Sequence, residues 1–278
     1  MPKDIFLDLV HQLPKLDQKL MALLKNLTPE EWQAQTIAKL WKVKDVAAHL
    51  LDGNIRLLSI LRDDYMGDPP EDVHTYSKLV AYLNRLNADW VQAMKRVSPQ
   101  MLVALHELTG KPYYDYYASL DPLGKSKFPV DWAGEEESKN WMHIAREYTE
   151  KFLHQQQIRD AVNKPGIMHQ EFFLPFAEVC LLAWPHTFRE VEAKEGTTIK
   201  LHIPGGWKDN WYLTKQNQGW SLDKSTFQHL TTDIVIEAND FWKLVSKSWR
   251  YDDVKERVQI IGDQNLAHKT LSMVSFMA

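Results

Sequence analysis

Four side chains that bind metal ions in many proteins recur at helical spacing near the middle of the chain. They are His143, Glu147, Glu150 and His154, separated by four, three and four residues. Because an α-helix completes a turn in about 3.6 residues, this spacing places all four on one face of a helix predicted over residues 135–162. Glu150 and His154, one turn apart, can converge on a single ion. The spacing alone also fits a polar face in contact with water.

A second predicted helix supplies another candidate ligand. His49 lies within residues 43–62, at the border of the apolar face between Ala48 and Leu50. Taken alone, a histidine at such a position is more often a core residue with a satisfied hydrogen bond than a ligand. Opposite a Glu-x-x-x-His pair on another helix, it completes a three-ligand site with an open coordination position. One carboxylate and two imidazoles suit zinc best, with nickel and iron as alternatives.

Long helices are predicted to position these groups. Leucines recur every three or four positions in the first of them, which gives one continuous apolar stripe. The predicted helices span residues 9–27, 43–62, 75–97 and 135–162. Pro14 indicates that the first helix either bends there or begins near it. Four helices with mostly short links predict an antiparallel four-helix bundle.

The pattern changes from helical to mixed after the fourth predicted helix. A helix is predicted over residues 170–193, and a half-buried strand over 198–203, where apolar and polar residues alternate. Further strands and a short helix are predicted at 211–215, 220–222, 233–237, 241–247 and 258–261. The change predicts two domains, residues 1–166 and 167–278. The predicted fold class is a two-domain chain, a helical bundle followed by a small α+β domain.

The composition limits the classes of function. The 278 residues are 44% hydrophobic, which is enough for a sizeable core and excludes a disordered chain. Lys and Arg total 33 against 37 Asp and Glu, and the net charge of −4 offers no general attraction to nucleic acid or to an anionic membrane. Cys180 is the only cysteine, so an intramolecular disulfide and a cysteine-rich metal site are excluded. With no secretory signal and no membrane-spanning apolar run, we expect a cytoplasmic protein.

The segments that carry the candidate ligands resemble a known family. Residues 41–50, WKVKDVAAHL, are similar to the W-x-V-x-D-V-x-x-H-L segment of the mycothiol-dependent maleylpyruvate isomerase group, within the DinB-like bundle superfamily. Residues 147–159, EYTEKFLHQQQIR, resemble the second segment of that group, in which Glu and His lie four apart before Q-x-I-R. The C-terminal pattern, including VQIIGD at 258–263, resembles the small sterol-carrier-like domain that follows the bundle in this group.

The resemblance implies ligands, cofactors and a mechanism. By resemblance, His49, Glu150 and His154 hold a divalent metal, zinc, and a low-molecular-weight thiol, mycothiol or another, occupies the open position as a thiolate. In that group the sulfur adds to the double bond of maleylpyruvate, the new single bond rotates, and elimination returns the trans isomer and the thiol. The leading hypothesis is therefore a thiol-using isomerase or transferase for a small electrophilic acid. The expected partners are substrate, thiol and a second copy of the chain in a homodimer.

Such chemistry requires a cationic group near the carboxylates of the substrate. Arg250 in the second domain is one candidate by position, and Arg56, about two turns beyond His49, and Arg159 are others. At least two of the three are expected to be structural surface residues. If the open position instead serves hydroxide, the protein is a metal-dependent hydrolase in which Glu147 is the candidate general base.

The segment between the third and fourth predicted helices is predicted as a long aromatic connector. It includes Pro112, Tyr113 and Tyr116 and continues to Trp132. These rings either form the wall of an apolar substrate pocket over the metal or cover the open end of the bundle. A pocket that holds a ligand without turnover gives the remaining hypothesis, a non-catalytic binding protein in which the metal only stabilises the bundle.

Overall fold

The first part of the structure is helical. The computed structural model describes residues 6–71, 73–128, 137–206, 210–223 and 229–275. The first helices along this described chain are α1 (Gln12–Leu24), α2 (Pro29–Trp32), α3 (Val43–Leu57), α4 (Tyr76–Met94), α5 (Pro99–Ala118) and α6 (Asn140–Ala161). One π-helical turn, Leu58–Arg62, extends α3.

Helix α3 lies at the centre of this part. It packs against α4, α5 and α6, while α1 packs against α5 and α6. Helices α1, α3, α5 and α6 therefore enclose one apolar interior, and α4 lies outside it against α3. Side chains of this interior that are at most 2% exposed include Leu24, Val46, Leu51, Leu102 and Ile158. Burying a side chain of this size contributes about 1.5–3 kcal/mol, so the interior fixes the helices that carry the candidate ligands.

The first two helices begin at signals that can be read in the sequence: Pro14 for the first, and Thr28-Pro29-Glu30-Glu31, a cap followed by proline and glutamate, for the second. Helix α1 starts at Gln12 with Pro14 in its first turn, so the helix begins near the proline instead of bending at it. Thr28 caps α2 reciprocally with Glu31. The Thr28 hydroxyl accepts from the backbone N–H of Glu31 at 3.2 Å, and the Glu31 carboxylate accepts from the backbone N–H of Thr28 at 2.8 Å.

The prediction of an aromatic connector is wrong for residues 99–118, which form α5. The Ser98 hydroxyl accepts a backbone hydrogen bond from the first turn at 3.2 Å and so begins the helix. Pro112, interpreted as part of a connector, lies inside the helix, where it removes one backbone donor. Tyr113 and Tyr117, four residues apart and each 1% exposed, point into the core as neighbours on one helix face do. Helix α5, rather than the predicted third helix, completes the four-helix interior.

The C-terminal part contains one mixed sheet. Its strands are β1 (Thr198–His202), β2 (Asn210–Gln216), β3 (Gly219–Asp223), β4 (Thr232–Val235) and β5 (Gln259–Gly262), in the order β3–β2–β1–β4–β5. Strands β1 and β4 are parallel, and the other neighbouring pairs are antiparallel. In β1, Ile199 and Leu201 are buried while Lys200 and His202 are half-exposed, which confirms the predicted alternation.

Short helices accompany this sheet. The helix predicted over residues 170–193 is instead two helices, α7 (Gln170–Leu181) and α8 (Trp184–Thr187), with Pro185 in the first turn of the second. Helices α9 (Ala238–Val245), α10 (Tyr251–Val254) and α11 (Gln264–Leu271) follow in the described chain. None of the described helices combines the length and the apolar character that crossing a bilayer requires.

Apolar packing continues from the bundle into the C-terminal part. Phe152 of α6 stacks on Phe176 of α7, with ring centroids 4.3 Å apart. The Lys243 ammonium of α9 forms an ion pair with Asp160 of α6 at 3.3 Å. Phe173 of α7 also contacts Phe241 of α9, with ring centroids 6.2 Å apart. Helix α7 thus contacts both parts, and a domain boundary near residue 166 stays a prediction.

The single cysteine lies inside this junction. Cys180 is part of α7, and none of its surface is exposed. Burial raises the pKa of its thiol well above the ordinary value. The thiol is therefore protonated at neutral pH and out of reach of solvent.

Candidate metal centre

Two helices bring the three predicted ligands together. His49 lies in the second turn of α3, and Glu150 and His154 lie one turn apart on α6, which packs against α3. One ligand atom from each residue lies within 4.8 Å of the other two. Nε2 of His154 is 3.3 Å from Oε2 of Glu150, and the ring centroids of the two histidines are 4.6 Å apart. No other three His, Cys, Asp or Glu residues in the described part of the chain converge in this way.

A glutamine orients one of the imidazoles. Oε1 of Gln157 lies 2.9 Å from Nδ1 of His154. Since an amide oxygen only accepts, the Nδ1–H of His154 is the donor. Nε2 therefore faces the Glu150 carboxylate. Either a proton or a cation can lie between these two groups. A hydrogen bond of this kind, from the nitrogen that does not face the metal, commonly fixes the tautomer of a metal-binding histidine.

His49 contributes a buried polar atom that lacks a partner. Its Nδ1 makes no hydrogen bond with any described residue. Leaving such an atom unsatisfied costs about 1–3 kcal/mol, and a cation at the cluster offers a way to avoid this cost. Two imidazoles and one carboxylate match the donor preference of zinc and leave one coordination position open. The residues present therefore fit a divalent metal ion.

Two of the three ligands are in metal-binding form at neutral pH. Burial, followed by the charge of His154, lowers the pKa of His49 to about 3, so the His49 imidazole is neutral at pH 7. Burial raises the pKa of Glu150, but the hydrogen bond and charge of His154, and then the charge of Arg146, outweigh burial and lower this pKa to about 2. Glu150 is therefore ionised. A neutral imidazole and a carboxylate are the forms that bind metals.

Trp41 covers one side of the cluster. Its ring centroid lies 4.8 Å from that of His49 and 6.0 Å from that of His154. The loop of residues 36–41 is held in place by Gln35, whose side-chain nitrogen lies within 3.3 Å of four backbone carbonyl oxygens of this loop. An aromatic wall at this point limits the access of water to the ligands.

The other two groups of the predicted row do not join the cluster. The Glu147 carboxylate accepts a hydrogen bond from the Tyr113 hydroxyl at 2.8 Å, and burial raises the pKa of Glu147. Nε2 of His143 donates to the backbone carbonyl of Phe128 at 2.6 Å. Of the four side chains on this face of α6, two are candidate ligands. The other two form hydrogen bonds, one with α5 and one with the segment before α6.

The predicted aromatic pocket is only partly described. Tyr113 lies inside the bundle, where the Lys151 ammonium is 4.2 Å from its ring centroid. Tyr116 is half-buried at the edge of the apolar core. Trp132 lies outside the described residues. Tyr113 packs in the core of the bundle. Both interpretations of the three rings, the wall of a substrate pocket and a cover over the open end of the bundle, stay predictions.

The three candidate arginines have different surroundings. Arg250 is exposed at the start of α10, and its guanidinium donates to the Lys247 carbonyl at 3.3 Å. Arg159 is 7% exposed and donates to backbone carbonyls in α1 and in the turn after α6, which indicates a structural role. Arg56 lies on the same face of α3 as His49, two turns further on.

Two residues around the cluster were not predicted from the sequence. Gln157 is one of three consecutive glutamines, and its spacing of three from His154 was the available signal. Arg146 lies one turn before Glu150 on α6, so a basic residue four positions from a carboxylate ligand was the other signal.

Two neighbouring helices of the bundle contribute His, Glu and His to one cluster. The protein is therefore a helical-bundle protein with a candidate metal centre. The sequence model described as the mycothiol maleylpyruvate isomerase N-terminal domain matches residues 13–159, more than half of the chain. The chain belongs to this family. The matched region contains all three candidate ligands and ends near the end of α6.

Two solved structures show remote similarity to the chain. A crystal structure of the mycothiol-dependent maleylpyruvate isomerase, in a mutant with one histidine replaced by alanine, is 9% identical, with a TM-score of 0.49. The structure of the unmutated isomerase is 11% identical, with a TM-score of 0.48. Each alignment covers 86% of this chain and 90% of the other. No curated protein matches the sequence.

Proposed function

We propose that this protein is a metal-dependent enzyme that uses a low-molecular-weight thiol to isomerise a small electrophilic acid or to transfer the thiol to it. One observation carries the proposal: ligand atoms of His49, Glu150 and His154 lie within 4.8 Å of one another. Membership of the mycothiol maleylpyruvate isomerase N-terminal domain family supports the same chemistry.

Each residue around the cluster has a role in this proposal. His49, Glu150 and His154 hold a zinc ion. When bound, the ion lowers the pKa of a coordinated thiol, so that the reactive thiolate forms at neutral pH. Gln157 holds the proton of His154 on Nδ1 and keeps Nε2 directed at the cluster. Trp41 excludes water from one side.

Two other functions use the same cluster. In a non-catalytic binding protein, the metal stabilises the bundle and the ligand is retained without turnover. In a metal-dependent hydrolase, the open position serves hydroxide and no thiol is needed. Glu147, the base predicted for a hydrolase, is engaged by Tyr113 and lies outside the cluster, which favours the thiol-dependent function over hydrolysis.

Metal content tests the foundation of the proposal. Purified protein is loaded with zinc, dialysed and analysed by elemental mass spectrometry. We expect about one zinc per chain in the unmutated protein and a nearly complete loss in His154→Ala. His143→Ala is the matched control, because it removes an imidazole from the same face of α6 outside the cluster, and it should retain the metal. Equal zinc content in His154→Ala and the unmutated protein would remove the basis of the proposal.

A turnover screen then separates the functions. Zinc-loaded protein is mixed with a panel of cellular thiols and electrophiles such as maleylpyruvate, and products are followed by mass spectrometry. An isomerase regenerates the thiol, whereas a transferase leaves it in the product. Thiol-independent hydrolysis would favour the hydrolase. Ligand retention without any product would favour the binding protein.

A further inference from the structure

Two arginines flank the candidate metal centre. On α3, His49, Gly53 and Arg56 follow at spacings of four and three, so they share one face of the helix. Nη1 of Arg56 is buried and has no hydrogen-bond partner among the described residues. Its Nη2 lies 3.6 Å from Oδ2 of Asp52, an ion pair too long for a hydrogen bond. The guanidinium therefore has unpaired N–H donors on the helix face that carries His49.

The second arginine lies on the other helix of the cluster. Arg146 is half-buried one turn before Glu150 on α6. Within the described residues, its guanidinium forms neither a hydrogen bond nor an ion pair. Its charge is nevertheless close enough to contribute, after burial and His154, to the pKa of Glu150. Each ligand-bearing helix thus presents one incompletely paired guanidinium.

Space for a ligand lies on the same face of α3. Gly53 is in the helix interior, where glycine is less stable than alanine by about 0.5–1 kcal/mol. A Cβ placed on Gly53 would meet no atom within 4 Å. The volume in front of Gly53, between His49 and Arg56, is therefore open.

The charges around the candidate metal centre indicate whether it attracts an anionic or a cationic ligand. Glu150 is the one carboxylate in the cluster, and Asp52 and Glu147 are the nearby acids, both with a pKa raised by burial. Even with all three ionised, a divalent cation and the two guanidiniums leave the site with net positive charge. Partly buried guanidiniums are stabilised by planar, two-oxygen anions, which accept two parallel hydrogen bonds.

We propose that Arg56 and Arg146 bind carboxylate groups of a ligand that reaches the candidate metal centre across the open space at Gly53. This inference rests on the proposed function for the location of the metal. The carboxylates belong either to the thiol, which is then an acidic thiol, or to the electrophile, which is then a small dicarboxylic acid. In both cases the arginines determine which ligand is accepted.

Calorimetric titration with three probes tests the proposal on the full-length, zinc-loaded protein. Glutathione is a thiol with two carboxylates, 2-mercaptoethanol is an uncharged thiol, and maleate is a dicarboxylate without sulfur. The variants are Arg56→Gln and Arg146→Gln. Arg85→Gln is the matched control, because Arg85 is an exposed arginine of α4 paired with Asp68 at 2.9 Å. Thermal unfolding of each variant verifies that it is folded.

We expect both variants to bind a carboxylate probe at least about tenfold more weakly, as loss of a charged hydrogen bond predicts. Binding of 2-mercaptoethanol should stay within about twofold, and Arg85→Gln should match the unmutated protein. An effect on glutathione alone assigns the carboxylates to the thiol, and an effect on maleate alone assigns them to the electrophile. Unchanged affinities, equal weakening for 2-mercaptoethanol, or no binding of either carboxylate probe to the unmutated protein would overturn the proposal.

Maleate is also titrated into metal-free protein, where both guanidiniums remain. If the unmutated protein binds no zinc, the proposed function fails. A tenfold loss of maleate affinity in the arginine variants would still support the anion site. The two failures are therefore distinguishable.

Discussion

Gln157 lies one turn beyond His154 on α6, and its Oε1 accepts a hydrogen bond of 2.9 Å from Nδ1–H of His154. The hydrogen bond fixes which imidazole nitrogen faces Glu150. A ligand whose tautomer is fixed loses less entropy on binding a cation than one that must also reorient. We therefore expect the affinity of the cluster for a metal ion to depend on Gln157, which is not one of the three candidate ligands.

Replacing this glutamine should weaken zinc binding. We expect Gln157→Leu to raise the dissociation constant for zinc by about 10–100-fold, the usual effect of losing the residue that hydrogen-bonds a ligating histidine. Competition with a chromophoric chelator measures the constant. Gln156→Leu is the matched control, because Gln156 is also 5% exposed but its Oε1 has no partner among the described residues. Similar constants for the two variants would contradict an orienting role.

The two helix-interior glycines of the bundle should respond oppositely to alanine. Gly53→Ala should raise the free energy of unfolding by about 0.5–1 kcal/mol, because the new Cβ meets no atom within 4 Å. Gly110→Ala should lower it, because a Cβ there would lie 2.6 Å from the Tyr114 hydroxyl and 3.2 Å from Oδ2 of Asp17. Urea unfolding followed by tryptophan fluorescence measures both. Destabilisation by Gly53→Ala would show that the space is filled.

A buried histidine outside the cluster should make stability depend on pH. Nε2–H of His106 donates to the Ala47 carbonyl at 2.9 Å, and Nδ1 has no partner among the described residues. Burial lowers the pKa of His106 from 6.5 to about 4. Between these values the unfolded chain binds more protons, so this contribution to stability is complete above pH 6.5 and is lost as the pH falls towards 4.

Comparison with a variant isolates this effect from other titrations. Between pH 7 and pH 5, the unmutated protein should lose about 2 kcal/mol more free energy of unfolding than His106→Gln. His11→Gln, which removes an exposed histidine, should keep the full loss. Urea unfolding at the two pH values provides the measurement. Parallel losses in all three proteins would rule out His106 as the source.

The buried ammonium of Lys151 and its acceptor should have coupled effects on stability. Nζ of Lys151 donates to Oδ1 of Asn54 at 2.7 Å, and Nδ2 of Asn54 donates to the Thr109 hydroxyl at 3.2 Å. Asn54→Leu should destabilise the protein by about 2–4 kcal/mol, because it leaves a buried charge without its acceptor. The double variant with Lys151→Met should be less destabilised than Asn54→Leu alone. A double-mutant cycle from urea unfolding measures this coupling, and additive effects would contradict it.

The ligand cluster was predictable because its signals are local. Glu150 and His154 are one turn apart, and His49 lies in a segment with a family resemblance, so pairing the two helices was enough to bring the three residues together. The caps at Thr28 and Ser98 are local signals of the same kind, because a cap depends on the next three residues alone.

The rest of the fold and of the candidate site could not be predicted, because it depends on contacts between residues far apart in the sequence. Helix α5 was missed because Pro112 suggests a break, and the core contacts of Tyr113 and Tyr117 that override the proline come from other helices. The partner of Lys151 lies 97 residues away, at Asn54, so no local spacing indicates it. The incomplete pairing of Arg146 is likewise a property of what surrounds it in space.

The concealment of Cys180 has a practical consequence. A protein that handles reactive electrophiles would be alkylated through any accessible sulfur of its own. Since the one cysteine has no exposed surface, the native fold protects the chain from the reagents that it is proposed to use. Added mass after exposure to iodoacetamide would therefore report the fraction of molecules that have opened.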